Sequence, residues 1–349
     1  MHRRRTLAGI ALLWLASGAH DGRVRGATPP VPPAFERYLA QEVRLPAADR
    51  TRLLNGEPVT RMLEGDASAE VGAFGAVWIA APMQRYAEAM LNIESFERGA
   101  NFRQTRRISE PPVLEDFASL RLSDDDVADL RTCRVGHCEV KLSEAALQRV
   151  RREVDWRAPD HRARAEQVAR HLALDYVTSY LSGGNGALAV YRDAERPTFV
   201  EAELRGLVGR LPELTSFVPE VRGHLLGFPS VTLPGSRSLL YWQETAFGLK
   251  PTVRISHLTL VERDEGMVVT SKMLYASHYF WTGLELRVLL PDPARGPGFW
   301  FITVTRTRSD GLSGFRGAII RRMVRGEAEK GTLTALRSTK VRMERTMNP

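Results

Sequence analysis

Aromatic and histidine side chains concentrate in the C-terminal part of the chain, where the sequence predicts neighbouring β-strands. The core of this set is His257, Tyr275, His278, Tyr279 and Trp281, and pairing of consecutive strands in order would bring Trp242, Trp300 and Arg306 close to it. An aromatic surface with a few polar groups suits a flat or lipidic ligand. The alternative is a packed sheet with an aromatic core. Strict alternation along residues 267–281 places His278 opposite Tyr275 and Tyr279, so the set divides between two surfaces.

Catalysis by this set would require a histidine or tyrosine beside an acid or base. The weak candidates are His257 with Glu244 and Tyr275 with His278. The His-Glu-x-x-His and Gly-x-Ser-x-Gly motifs are absent, so neither a zinc protease helix nor a nucleophile elbow has sequence support. His171 and Asp175 stand four residues apart in a predicted helix, which favours an ordinary contact over metal ligation. We predict no catalytic residue, no metal ion and no cofactor.

The first 19 residues have the pattern of a secretory signal. Three arginines precede an uncharged apolar run at residues 7–19, and Ser17 and Ala19 are small residues at positions −3 and −1 of a cleavage site before His20. The run of about 13 residues is shorter than the roughly 20 that a membrane-spanning helix needs. We therefore predict cleavage after Ala19 and a periplasmic or secreted protein, with an uncleaved anchor as the alternative.

The charge balance is modestly basic. Loss of residues 1–19 would remove three arginines and no acid, which lowers the net charge from +8 to +5. Arginine outnumbers lysine by 44 to 5, a bias that we attribute to base composition of the genome and not to nucleic-acid binding. The surplus fits peripheral contact with an anionic membrane. A solvated surface of mixed charge is the simpler interpretation.

The two cysteines, Cys133 and Cys138, lie in the segment TCRVGHC. Two cysteines in an exported chain most simply form a disulfide. The chain-entropy model gives the disulfide of so short a loop a stabilisation of about 2 kcal/mol. The bridge would therefore stabilise a local turn. A redox or metal site that includes His137 is the alternative, although the spacing is neither Cys-x-x-Cys nor Cys-x-x-Cys-His.

Residues 20–34 are predicted to be a Pro-rich linker and residues 35–349 one domain, with a helical, disulfide-bearing insertion at about 115–185. The predicted helices are 35–54 with a break at Pro46, 83–96, 124–130, 143–150, 160–180 and 199–211. The glycine run at 182–186 lacks the Lys-Ser/Thr of a nucleotide loop. We interpret it as a helix end that leads into a strand at 187–191, and residues 219–229 as irregular.

Antiparallel strands dominate the rest of the sequence. The predicted strands are 71–80, 102–108, 238–244, 252–262, 267–281, 284–290 and 299–307. A helix over 312–345 follows, and its apolar stripe consists of Leu312, Phe315, Ile319 and Met323. Gly326 and Gly331 weaken this helix by up to about 1 kcal/mol each relative to alanine. We expect two helical parts, with only the first lying on the sheet as a lid.

The pattern of elements resembles the helix-grip fold of the START-like or SRPBCC superfamily. A strand and helix at 71–97, the meander at 252–307 and the closing helix carry this resemblance. It implies an α+β fold in which an antiparallel sheet wraps on a long C-terminal helix, with a deep, mostly apolar cavity between them. Phe315 and Ile319 would line that cavity from the helix.

The leading hypothesis is an exported protein that binds a lipidic or aromatic hydrophobic ligand in this cavity. An enzyme of the cyclase, dehydratase or hydrolase type that uses the same cavity is the second hypothesis. The third is an envelope structural or interaction protein with a filled core. No nucleic-acid partner is expected.

Overall fold

The computed structural model describes residues 31–99, 101–246 and 250–345. The predicted fold class is confirmed: an α+β protein in which a long C-terminal helix packs on an antiparallel sheet, with further helices inserted. The signal-like segment and residues 20–30 of the linker lie outside the described residues.

Eight strands form one antiparallel sheet in the order β1-β2-β10-β9-β8-β7-β6-β3, and β4 and β5 form a separate hairpin. The strands are β1 (Val59–Leu63), β2 (Glu70–Ile79), β3 (Phe102–Ile108), β4 (Val190–Tyr191), β5 (Thr198–Phe199), β6 (Arg237–Thr245), β7 (Thr252–Arg263), β8 (Gly266–Ala276), β9 (Phe280–Pro291) and β10 (Phe299–Ser309). Strands β6 to β10 pair in sequence order, as predicted.

The helices surround this sheet. They are α1 (Pro33–Tyr38), α2 (Ala47–Leu54), α3 (Met83–Leu91), α4 (Ile93–Phe96), α5 (Asp124–Thr132), α6 (Glu144–Glu153), α7 (His161–Gly183), α8 (Val200–Gly209), α9 (Pro212–Ser216), α10 (Pro219–Gly227) and α11 (Gly314–Glu344). A π-helical turn at Leu39–Val43 extends α1. Pro46 stands at the start of α2, where the break was predicted.

Helices cover both faces of the sheet. The insertion face carries Phe74, Leu286 and Trp300, which pack with residues of α1, α7, α8 and α10. The opposite α11 face carries Val77 and Phe301, which pack with residues of α3 and α11. A sheet buried on both sides needs apolar residues at successive positions, and β2 is buried along its entire length.

Helix α11 lies over β1 and β2 at one side of the sheet. Leu336 and Met343 are buried in that contact. Two expectations are wrong. The helix is continuous through Gly326 and Gly331, and its second half packs on the sheet, whereas Ile319 is 62% exposed in the first half. The spacing of apolar residues identifies which of them share a helix face. It does not identify which part of the helix packs on the sheet.

Two further segments differ from the sequence prediction. Residues 267–281 are two strands and not one, because the chain turns before β9 with Tyr279 at φ 60°. A register shift between β7 and β8 also interrupts the alternation at Leu274. Residues 219–227 form α10 and are not irregular, since proline is tolerated at the first position of a helix.

The cysteine loop is fastened to the segment that directly follows β4. Cys133 and Cys138 form the predicted disulfide. The amide of Gly136 donates to the carbonyl of Arg192 over 2.7 Å, and that of Cys138 donates to the carbonyl of Asp193 over 2.9 Å. Ser123 caps α5, because its hydroxyl accepts a hydrogen bond from the amide of Asp126.

Candidate ligand cleft

A surface cleft of about 480 Å³ lies between the β4–β5 hairpin and α8. Val190 and Phe199 are opposite each other in the hairpin, so their side chains lie on the same side of it. Phe199 is 55% exposed. The other lining residues are Gly186, Leu188, Ala189, Val200, Glu201, Ala202, Arg205 and Gly206. The walls are therefore mainly apolar, with charge confined to α8.

The charged part of the wall is an ion pair within α8. Arg205 Nη2 donates to Glu201 Oε1 over 2.5 Å, one helical turn away. Both side chains are exposed, and an exposed pair of this kind adds little stability. Arg205 retains further N–H donors, so a ligand carboxylate or phosphate could exchange with Glu201 at small cost.

The glycine run after α7 leads to Gly186, which lines the cleft. Helix α7 ends at Gly183, and Gly184 has φ 58° and ψ −140°. A Cβ atom on Gly184 would lie 2.0 Å from the carbonyl oxygen of Phe228, so only glycine fits there. A 3₁₀ turn over Gly184–Ala187 follows. The predicted helix end is confirmed, although the strand after it is shorter than predicted and covers Val190–Tyr191.

This turn also reaches a buried polar cluster on the insertion face. Asn185 donates from Nδ2 to the carbonyls of Leu225 and Leu226, each over 2.9 Å. Its Oδ1 accepts from Lys272 Nζ over 2.9 Å. The Lys272 ammonium also lies 5.0 Å from the centre of the Tyr180 ring and 5.3 Å from that of Phe228. Burial lowers the pKa of Lys272 to about 7.

Tyr180 connects this lysine to His257. The Tyr180 hydroxyl and His257 Nδ1 are 2.8 Å apart. Burial, followed by the nearby charges of Lys272 and His224, lowers the pKa of His257 to about 3, and burial raises the pKa of Tyr180 above its usual value. His257 and Tyr180 are therefore both neutral at physiological pH.

The cleft and the cluster are on opposite sides of one short turn. Asn185 belongs to the cluster, and the next residue, Gly186, lines the cleft. Lys272, Asn185 and His257 are all buried. The turn therefore separates an apolar, solvent-accessible surface from a buried amine.

The two tryptophans of the predicted set lie far apart in the core. Trp242 on β6 donates from Nε1 to the carbonyl of Asp116 over 2.9 Å. Trp300 on β10 donates to Asp292 Oδ2 over 3.0 Å and packs against Phe35. Three strands separate them, which corresponds to roughly 19 Å at the usual strand spacing.

His278 belongs to a different environment at the end of β8. Its Nδ1 lies 3.0 Å from the carbonyl of Glu139, and its Nε2 lies 2.7 Å from Asp126 Oδ1. Burial raises the pKa of Asp126, but hydrogen bonds from His278 and Ser123 outweigh it and leave that pKa below the usual value. The buried His278 ring therefore bridges the Asp126 carboxylate and the Glu139 carbonyl.

Other predicted site residues also occupy separate places. Tyr275 packs against Tyr176 and Tyr191. The Tyr279 hydroxyl accepts from the amide of Lys250. Trp281 packs under the guanidinium of Arg308. Arg306 forms a buried ion pair with Glu70 at 2.8 Å. The predicted set therefore divides among several structural contacts.

The acid–base pairs considered from sequence do not form. His257 is opposite Leu240 in the β6–β7 register, and Glu244 pairs with Arg103. His171 and Asp175 do not form a metal pair. Asp175 instead forms an ordinary surface ion pair with Arg149 at 2.6 Å. No group of three metal-ligating His, Cys, Asp or Glu residues occurs within the described ranges.

The two helix residues assigned to the predicted cavity have different outcomes. The side chain of Phe315 lies outside the described structure, and Ile319 is directed to solvent. Where α11 does meet the sheet, a Cβ atom on Gly75 would lie 2.8 Å from Thr332 and 2.9 Å from Leu336. That contact is closely packed.

Sequence reasoning missed Phe199, Asn185, Lys272 and Tyr180. Lys272 had a usable signal: it is one of five lysines in the chain, and its neighbours along the strand are mostly apolar. A lysine in such a strand needs a specific partner. The partner, Asn185, lies 87 residues away in sequence, so no local pattern could reveal it.

Neither the models of known protein families nor the curated proteins give a match to this sequence. Within the described part of the chain, no helix combines the length and apolar character needed to cross a bilayer.

Proposed function

We propose that this protein is exported and binds a lipidic or aromatic hydrophobic ligand in the cleft between the β4–β5 hairpin and α8. The observation that carries the proposal is the exposure of Phe199 above apolar walls. A cleft of about 480 Å³ falls within the roughly 300–1,000 Å³ range of small-molecule sites.

The cleft also contains a side chain that can bind the polar end of a ligand. Arg205 stands at its wall in an exposed ion pair with Glu201, so an anionic headgroup is the favoured partner of that side chain. A ligand with an apolar body and one carboxylate would satisfy both Phe199 and Arg205. The START-like resemblance, which we retain as part of the proposal, implies the same ligand class but a different place, since the contact of α11 with the sheet is closely packed at Gly75.

Export is supported by the signal-like pattern of residues 1–19 and by the disulfide, since disulfides persist in oxidising compartments. Expression with the natural N-terminus followed by N-terminal sequencing of the mature protein tests this part. The expected first residue is His20. A mature protein that retains Met1 would contradict it.

Ligand binding is tested by titration with a fluorescent fatty acid and by native mass spectrometry after gentle purification. We expect Phe199→Ser and Val190→Ser to weaken binding at least tenfold. Val231→Ser is the matched control, because Val231 is another exposed valine outside the cleft. Equal affinity of all four proteins, or no bound or exchangeable ligand, would overturn the proposal.

A further inference from the structure

The first half of α11 presents an apolar patch to solvent. Ile319 is 62% exposed, Met323 55% and Ile320 38%. Residue 323 is four positions after residue 319 and three after residue 320, so its side chain neighbours both on one helix surface. Large apolar side chains grouped on a surface commonly mark a contact with another body.

The segment that carries this patch is basic in sequence. The sequence from residue 311 to residue 326 contains four arginines, at 316, 321, 322 and 325, and no acid. Arg322 is exposed beside Met323. Nearby acids on the sheet side are already engaged, since Asp66 contacts Arg308 and Glu70 pairs with Arg306.

Two of these arginines fix the helix to the body of the protein. Arg325 Nη1 donates to the carbonyl of Leu63 at the end of β1 over 3.3 Å, and Arg321 donates to the carbonyl of Ala67. These bonds hold the opposite side of the helix against the sheet edge. The apolar patch therefore stays directed outward.

We infer that this half of α11 docks on an anionic phospholipid membrane, with Ile319, Ile320 and Met323 entering the headgroup region. This surface is suited to such a membrane, because the exposed Arg322 and the positive charge of an acid-free segment attract anionic lipid while the apolar side chains leave water. A second copy of the chain is less suitable, since two such faces would bring like charges together. An acidic protein is the other occupant that charge allows, and failure to bind anionic vesicles would favour it over the membrane.

The test uses sedimentation of the full protein with vesicles of phosphatidylcholine alone or mixed with phosphatidylglycerol. We expect binding to the mixed vesicles to exceed binding to phosphatidylcholine at least tenfold, and to weaken in 0.5 M NaCl. The Ile319→Ser/Met323→Ser double variant should lose at least tenfold of that binding. The control is Val341→Ser, which changes a 43% exposed valine farther along α11 and should bind as the parent does.

Several outcomes would overturn this inference. They are absence of binding to the mixed vesicles, equal binding to both vesicle types, or an unchanged double variant whose circular dichroism matches the parent. Concentration-dependent dimerisation that the double variant abolishes would instead assign the patch to a second copy. The fatty-acid titration of the cleft is independent of all these results.

Discussion

Lys272 Nζ donates to Asn185 Oδ1 over 2.9 Å, and no carboxylate of the described residues forms an ion pair with this lysine. The two residues join the middle of β8 to the 3₁₀ turn that leads into the cleft. Because burial lowers the pKa of Lys272 to about 7, a neutral amine and a charged one are both populated near physiological pH.

This lysine predicts an alkaline rise in stability. Its pKa is 10.5 in the unfolded chain and about 7 in the fold. Between these values the unfolded chain holds more protons, so the free energy of unfolding increases with pH. Urea unfolding from pH 7.5 to 9.5 should show a slope in the parent that exceeds that of Lys272→Met by up to about 1.4 kcal/mol per pH unit. Lys330→Met, which changes an exposed lysine, should retain the parental slope; parallel curves for parent and Lys272→Met would contradict this.

The buried contact between Asp126 and His278 predicts a large effect of a small change. Asp126→Asn would remove the carboxylate that His278 Nε2 contacts over 2.7 Å, and loss of a hydrogen bond to a charged group costs about 1.5–3 kcal/mol. Urea unfolding at pH 7 measures the loss. Asp124→Asn on the same helix is the control, because Asp124 is exposed, and it should change stability much less.

The same pair contributes to acid sensitivity. The pKa of Asp126 is lowered in the fold, so its contribution is complete above the unfolded value of 3.8 and is lost as the pH falls through the lower folded value. The acid limb of the parent should therefore be steeper below pH 4 than that of Asp126→Asn. Identical acid limbs would show that the pair does not form.

Gly184, two residues before the cleft residue Gly186, should not tolerate a side chain. Gly184→Ala would place a Cβ atom 2.0 Å from the Phe228 carbonyl, and the backbone conformation is also strained for alanine, so a loss of about 3 kcal/mol or more is expected. Gly186→Ala, two residues on, has open space around the new Cβ. Thermal unfolding of the two variants should differ clearly; similar melting temperatures would contradict the turn.

The disulfide should have a limited, local effect. Replacement of Cys133 and Cys138 together by serine should lower stability by about 2 kcal/mol, since the closed loop is short. Backbone bonds from Gly136 and Cys138 would still hold the loop against residues 192–193. The helical content should therefore remain; loss of the α5–α7 signal in hydrogen exchange would show a wider role.

The sequence predicted the helices and strands better than it predicted which of their residues contact one another. The alternating strands, the order of β6 to β10 and the cap at Ser123 follow from local patterns. The end of β8 could not be predicted from local patterns. Tyr279 adopts a positive φ there, a conformation that glycine or asparagine would usually signal.

Long-range contacts explain the remaining differences. Ile319 belongs to an apolar repeat with the spacing of a buried helix face, yet its side chain is exposed. Leu336 and Met343 pack on the sheet instead. The cleft is formed by residues of a hairpin and a helix that meet only in the folded chain. The enrichment of aromatic residues in the sequence pointed to the strands at 252–307 and not to Phe199.

The sheet is open, and its two outer strands must therefore resist recruitment into larger assemblies. β1 is five residues long and its last carbonyl is occupied by Arg325. β3 carries exposed Arg103, Arg106 and Arg107 along its length. A short edge strand and charged edge side chains oppose pairing between molecules, so the arginines of β3 also disfavour edge-to-edge aggregation.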